Sequence, residues 1–347
     1  MTKHLVSIII PVYNVSDYID ECLESVVNQS YQDLQVIIVD DCGSDDSMSK
    51  IEKFIESYKG PVSFIILHHT SNRGQSAARN SGMDAATGEY IFFLDGDDYI
   101  YNYSIEILIR SINQEEGIDW AFGKFETNLE QGVPKPKYGG GIFENVMELR
   151  SKRIMYPMPW NYLIRTDFLR NHDLHFFEGL LHEDNLWTFE MACFGEKVAL
   201  CDDITYFYRK REGNTTSLTF PLRYPHFYAI HKEMIRFVYE RNLYNRRDVF
   251  DCVSQDIKGY FILAFFNGHG RLSYNYYHII RENPYLSIRQ IWSLTHNMKE
   301  IFIRFHRYQP IQIGYLYLWI VYRPLTIKEL LHSFYVYLIK HLNRHAN

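Results

Sequence analysis

Two hydrophobic periods take turns along the first part of the chain. Val6-Ser-Ile-Ile-Ile-Pro-Val12 is an almost unbroken apolar run, the pattern of a strand covered on both faces in a parallel sheet. Beyond it Ile19, Leu23, Val26 and Val27 fall at helical spacing, with Ser16 placed to cap that helix. The same unit then repeats. Leu34 to Val39 reads as a second strand, followed by helical positions Ile51, Phe54 and Ile55. Ser63 to Leu67 reads as a third, followed by Ala77, Ala78, Met83 and Ala86. Tyr90 to Leu94 is short, aromatic and β-branched enough for a fourth buried strand, with a helix over Ser104 to Asn113 and a fifth strand over Trp120 to Phe125. Strands and helices alternating at this spacing predict an α/β fold: a doubly wound, mostly parallel sheet with right-handed crossovers.

The regular pattern lapses over residues 126 to 156, where Pro134, Pro136 and Gly139 to Gly141 mark a surface excursion. It resumes with a helix through Leu186, Phe189 and Met191 and a strand over Thr205 to Arg209. From Pro221 it becomes helical, aromatic and basic, with Tyr276-Tyr277, Trp292, Phe302 to His306 and Tyr315 to Tyr322.

Composition sharpens this division. A chain of 347 residues with 46% hydrophobic content can bury a large core, and 28 Tyr with 23 Phe make aromatics prominent in it. The net charge of -6 conceals a polarity. Residues 221 to 347 hold 17 basic and 8 acidic side chains, a surplus of +9, which leaves -15 for residues 1 to 220. The acidic part reads as catalytic and the basic part as a docking surface. Five cysteines form no Cys-x-x-Cys pair, no run of 18 apolar residues is present, and Met1 to His4 leads straight into a strand, so a cytoplasmic setting is expected.

The chemistry concentrates where the apolar runs stop. The fourth strand ends on Asp95-Gly96-Asp97-Asp98, and in an open α/β sheet ligands bind beyond the carboxyl ends of the strands. Adjacent carboxylates repel unless a cation lies between them, and hard oxygen donors suit Mg²⁺ or Mn²⁺ carrying substrate phosphates. The plainer reading of an Asp-x-Asp is an acidic turn ahead of the next helix. The dinucleotide fingerprint and the Walker Gly-Lys-Ser/Thr are both absent, which disfavours a dehydrogenase or a P-loop enzyme.

Four segments in order, Ile-Pro-Val-Tyr-Asn (10 to 14), Val-Asp-Asp-Cys-Gly-Ser-Asp-Asp-Ser (39 to 47), Asn-Arg-Gly-Gln-Ser-Ala-Ala-Arg-Asn (72 to 80) and Gly-Glu-Tyr-Ile-Phe-Phe-Leu-Asp-Gly-Asp-Asp (88 to 98), together resemble a family 2 glycosyltransferase. That resemblance implies a GT-A fold, inversion at the anomeric carbon, a nucleoside diphosphate sugar donor, commonly a UDP sugar, and Mn²⁺ or Mg²⁺ as cofactor. It implies that Pro11, Tyr13 and Asp41 contact base and ribose, that Asp40 supports their loop, and that Arg79 helps hold the nucleotide. Asp95 and Asp97 match the family's DXD metal motif, with Gly96 between them. Cys42 and Gly43 stand where Gly-Ser is more usual.

Met158-Pro-Trp-Asn-Tyr-Leu resembles the family's Trp-Asn-Lys-Leu-Tyr segment, with Tyr162 in place of Lys, and Trp160 is expected either to stack on an acceptor sugar or to sit in the core. Glu183-Asp184 matches the Glu-Asp motif, which makes Asp184 the expected base for the acceptor hydroxyl. Glu183 would orient it or bind the acceptor, and His182 would assist at the acceptor. Tyr208-Arg-Lys-Arg211 through Ser217 resembles the family's Tyr-Arg-x-Arg...Ser segment, with Arg211 expected at the diphosphate.

The expected organisation is a catalytic domain over 1 to 219, its donor half about 1 to 125 and its acceptor half about 126 to 219, followed by a helical region over 220 to 347. The expected partners are the donor and a glycan or lipid-linked glycan acceptor. The basic, aromatic C-terminal region is expected either at the inner membrane surface or in a helical bundle, with no nucleic acid involved. A nucleotidyltransferase and a non-catalytic nucleotide- or glycan-binding module are the alternatives.

Overall fold

β1 (Val6–Val12) lies inside the sheet, with its Val and Ile side chains buried on both faces. It pairs in parallel with β2 (Leu34–Asp40) and β4 (Tyr90–Phe93), and β2 pairs in parallel with β3 (Ser63–His68). The computed structural model describes residues 4–128, 139–211 and 220–266, together with Asn275. The helices α1 (Ile19–Val27), α2 (Ser47–Ser57) and α3 (Gln75–Ala85) follow the first three strands as the apolar spacing predicts. α1 starts at Ile19, so Ser16 is not its cap; the Ser16 amide donates to Asp45 Oδ2 at 2.8 Å instead.

The other half of the sheet is mixed. β8 (Tyr162–Arg165) runs antiparallel beside β4, β6 (Trp120–Thr127) lies antiparallel to β8, and β6 is parallel to β9 (Val198–Tyr208). The two-residue β5 (Tyr99–Ile100) and β7 (Gly141–Phe143) are both antiparallel to β9. The full order is β3-β2-β1-β4-β8-β6-β9-β5. α4 (Ser104–Ile112) returns the chain to β6 by a crossover, whereas the segment from β6 through β7 and α5 (Val146–Ser151) brings β8 back between β4 and β6, and α6 (Thr166–Asn171) follows β8.

α3 can lie close on β1 because residue 82 is glycine: a Cβ there would come within 2.3 Å of Ile9 Cγ2. That close seat fixes where Arg79, one turn earlier, enters the molecule. α7 (Glu183–Phe194) and α8 (Phe220–Glu240) complete the first of two compact units, residues 1–241. The second, residues 242–347, includes α9 (Arg247–Phe266), whose Val249, Phe250, Val253 and Ile257 form a buried apolar face at helical spacing. No helix among the described residues is long and apolar enough to cross a membrane. Ser217 and the aromatic clusters from Tyr276 onward lie outside the described residues.

Candidate active site

The parallel strands β1, β2 and β4 all point their carboxyl ends at one cavity of about 490 Å³, within the range of ligand pockets. Pro11 and Tyr13 from the end of β1 line it, and Tyr13 is 48% exposed, an aromatic face open at the rim. Asp41, Gly96, Asp95, Asp97 and Arg211 line it as well.

Asp41 is buried and already heavily engaged. Its carboxylate accepts from the amides of Arg73 and Gly74, each at 2.8 Å, and from His69 Nδ1 at 2.7 Å. His69 Nε2 in turn lies 2.9 Å from Ser81 Oγ on α3. The residue therefore ties the end of β2 to the loop that starts α3, where Gly74 adopts φ +87. Asp40 is turned into its own loop: it accepts from the Cys42 amide at 3.0 Å and lies 3.0 Å from His68 Nδ1. Cys42 takes the left-handed φ of 57, the conformation in which glycine is the least strained residue.

Three carboxylates follow β4. Asp95 Oδ1 accepts from Arg79 Nη2 at 2.8 Å and from Gln75 Nε2 at 3.1 Å. Asp97 Oδ2 lies 2.8 Å from Arg211 Nε. Asp98 is buried and accepts from Tyr206 Oη and from the Arg209 amide, each at 2.7 Å. Burial, then repulsion from Asp95, pushes the Asp97 carboxyl above its ordinary range; burial, then Asp97 and Asp95, raises Asp98 well above it. Sequence reasoning missed Tyr206. Its hydroxyl also accepts from the Asp95 amide at 3.2 Å, so one side chain in β9 sets both ends of the acidic turn.

This set fits a divalent cation. The donors are hard oxygens, the turn carries an excess of negative charge that protons or arginines must offset, and Asp95 and Asp97 face the cavity while Asp98 is spent inside. No three His, Cys, Asp or Glu side chains among the described residues converge into a closed ligand set. Two carboxylates with substrate phosphates supplying further oxygens are the usual Mg²⁺ arrangement.

Arg79 departs from expectation. It is 2% exposed, absent from the cavity lining, and spans two carboxylates: Nη2 to Asp95 and Nη1 to Glu183 Oε1, each at 2.8 Å. Its guanidinium also packs over the Phe176 ring at 5.3 Å. A single cation thus joins the acidic turn after β4 to the first turn of α7. Asp184 is next in that turn. Burial first, then the charge of Glu183, pushes its carboxyl up to about 7, against the opposing pull of Arg79 and of two hydrogen bonds from Asn185.

Of the two candidate acceptor residues, Trp160 takes the core place among its two expected ones, and His182 packs on α8. Trp160 is 5% exposed, stacked on Tyr206 and Tyr208 at 4.4 and 5.4 Å with Phe125 edge-on. It is a core aromatic and offers almost no face to a sugar, because β6 and β9 supply the aromatics that cover it. His182 has its ring stacked on Phe227 of α8 at 4.7 Å, and burial, with Arg223 next, lowers its basicity.

Residues 7–172 match the family model described as Glycosyl transferase family 2. The chain is similar to the uncharacterized glycosyltransferase EpsJ of Bacillus subtilis, 30% identical over 225 residues that cover 62% of this chain and 64% of the relative. It is similar to a poly(ribitol-phosphate) beta-glucosyltransferase of Bacillus spizizenii, 30% identical over 253 residues covering 70% of this chain and 38% of the relative. The chain thus spans less than two thirds of the length of these two curated relatives. Among solved structures, Staphylococcus aureus TarS 1–349 in complex with UDP-GlcNAc matches with TM-score 0.67 at 21% identity, covering 91% of this chain and 90% of that one. Mannosyltransferase PcManGT from Pyrobaculum calidifontis, in complex with GDP-Man and Mn²⁺, matches with TM-score 0.53 at 15% identity, covering 92% and 87%. At these identities the structural likeness establishes the fold. With the family match, residues 7–172 form a domain of glycosyl transferase family 2, built on a GT-A-type sheet.

Proposed function

We propose that this protein transfers a sugar, with inversion, from a nucleoside diphosphate sugar to a hydroxyl of a cell-surface glycan. The observation that carries the reading is the Arg79 bridge, which holds the acids facing the donor cavity and the Glu183-Asp184 pair as one rigid constellation. Tyr13 would stack on the base at the rim, and Asp41 would hold the loop that shapes the ribose pocket. Arg211 would turn from Asp97 to the diphosphate when the donor arrives. The TarS structure with UDP-GlcNAc favours a UDP sugar, and the poly(ribitol-phosphate) enzyme favours a wall or surface polymer as acceptor. The acceptor polymer would be lipid-linked in this reading, with the basic, aromatic C-terminal region meeting anionic lipid.

Asp97, with Asp95, would hold Mn²⁺ or Mg²⁺, which when bound neutralises charge on the departing diphosphate. Asp184 takes the proton from the acceptor oxygen as that oxygen attacks the anomeric carbon from the face opposite the diphosphate. Its oxygen Oδ1 receives both hydrogen bonds from Asn185, which leaves Oδ2 for the acceptor. A base must be ionised to work, so an acid whose ionisation is delayed to about 7 is idle below that pH and poised just above it.

The pH dependence tests this directly. The account predicts that kcat rises about tenfold per pH unit below 7 and levels off above it. The same shift has a stability consequence. A carboxyl whose pKa is raised on folding favours the folded state when protonated, and that contribution disappears as pH climbs through about 7. That loss begins above the ordinary carboxyl range and is complete just above 7, so Asp184→Asn should raise Tm most at pH 8.5, by less at pH 5 and hardly at all near pH 3, as read by calorimetry. A kcat that is flat from pH 5 to 8 would remove Asp184 from the proton transfer.

A further inference from the structure

The first turn of α7 lacks the usual device for starting a helix. The residue at its N-cap is His182, which makes no side-chain capping bond and holds the left-handed conformation φ 62, ψ 32. For a residue other than glycine that conformation is strained and persists only where neighbours enforce it. The neighbours are on α8. His226 Nδ1 accepts from the Leu181 amide at 3.1 Å, and the buried Phe227 ring stacks on the His182 ring at an interplanar angle of 11°.

From there the connection to the acid pair is short. The His182 carbonyl accepts from the Asn185 amide at 3.1 Å, and Asn185 gives both its amide and its Nδ2 to Asp184 Oδ1. α8 lies beyond residues 7–172, so none of this is part of the family match.

We infer that His226 and Phe227 are positioning residues for Asp184: α8 clamps Leu181 and His182, and the clamped backbone aims the carboxylate at the acceptor hydroxyl. The inference rests on the proposed role of Asp184. His226 is suited to the task because its ring can present a nitrogen lone pair to a backbone amide while Phe227, one residue on, covers the neighbouring ring. These side chains act on Leu181 and His182, so their effect on Asp184 runs through backbone geometry, where a displacement of 1 Å can cost about 10²-fold in rate.

The test uses the full-length chain and two substitutions. His226→Leu keeps bulk and removes the acceptor; His226→Asn offers an amide oxygen close to where Nδ1 lies. Turnover is read as UDP release from UDP-GlcNAc with Mn²⁺, binding as UDP affinity by calorimetry, and the clamp as amide exchange over residues 181–185. For His226→Leu the expected result is exchange at least about tenfold faster in that segment, kcat down about tenfold or more, and UDP affinity within twofold. His226→Asn should recover most of both losses. A residue that merely supports the fold would lower kcat and binding together and would not be rescued by an amide.

Unchanged exchange in His226→Leu overturns the inference, as does faster exchange with kcat intact or an Asn variant no better than Leu. If His226→Leu does not fold, the same comparison is made with Phe227→Leu, where intact kcat with faster exchange again overturns it. Absence of UDP release by the wild type counts against the functional reading, and the exchange result still decides the clamp.

Discussion

Replacing Asp184 with asparagine is expected to cut kcat by about 10²- to 10⁴-fold, the range usual for removing a general base, while the affinity for UDP with Mn²⁺ stays within about twofold. The separation follows from the geometry. Asp184 is not among the residues lining the cavity beyond β1, β2 and β4 and is linked to it through Glu183, Arg79 and Asp95. Asparagine preserves size and can keep an oxygen facing the Asn185 donors, so the fold should hold. Steady-state turnover beside calorimetric titration of UDP decides it. Retention of more than a tenth of wild-type kcat would sink the assignment of the base.

The second large effect is expected at Arg79. Arg79→Met removes the charge and leaves Asp95 and Glu183 facing each other without their shared cation, and breaking a buried ion pair in this one-sided way typically costs about 3–5 kcal/mol. Arg79→Lys should recover only part of this. One ammonium is a point charge, whereas the guanidinium reaches the two carboxylates from Nη1 and Nη2 at once. Urea unfolding measures the stability term, and UDP titration with Mn²⁺ measures whether Asp95 stays aimed at the cavity. A Met variant within about 1 kcal/mol of wild type, with normal binding, would show that the bridge is not what joins the two acidic groups.

Why the parallel half of the sheet is legible in the sequence and the mixed half is not comes down to burial. β1, β2 and β4 are covered on both faces, so each is a nearly continuous apolar run that ends where the chain meets the site. β5, β7 and β8 are two to four residues long, too short for any period to register. The first half of β9 is hidden because Asp202, Asp203 and Ile204 point outward and break its apolar pattern.

The site divides along the same line. The acids stand out because a carboxylate cluster at the end of a buried apolar run is costly to keep unless it meets a cation or a ligand there. The partners that define their geometry do not stand out: Arg79 meets Glu183 across 104 positions, and Tyr206 meets Asp98 across 108. Trp160 shows where residue type alone leaves two places open. Its residue type suits a sugar platform, but only the packing of Tyr206 and Tyr208 against it reveals that the ring is inside.

The central claim is that the cavity beyond β1, β2 and β4 binds a nucleoside diphosphate sugar with a divalent metal, and one experiment addresses it most directly. Thermal unfolding of the full chain would be followed with UDP, GDP and their common sugars, each with Mn²⁺, Mg²⁺ or EDTA. A ligand bound only by the folded state at about one hundred times its Kd adds about 2.7 kcal/mol of stability. The account predicts a clear rise in Tm with one UDP sugar in Mn²⁺, abolished by EDTA and by Asp97→Ala. No shift with any nucleotide under any metal condition would contradict it.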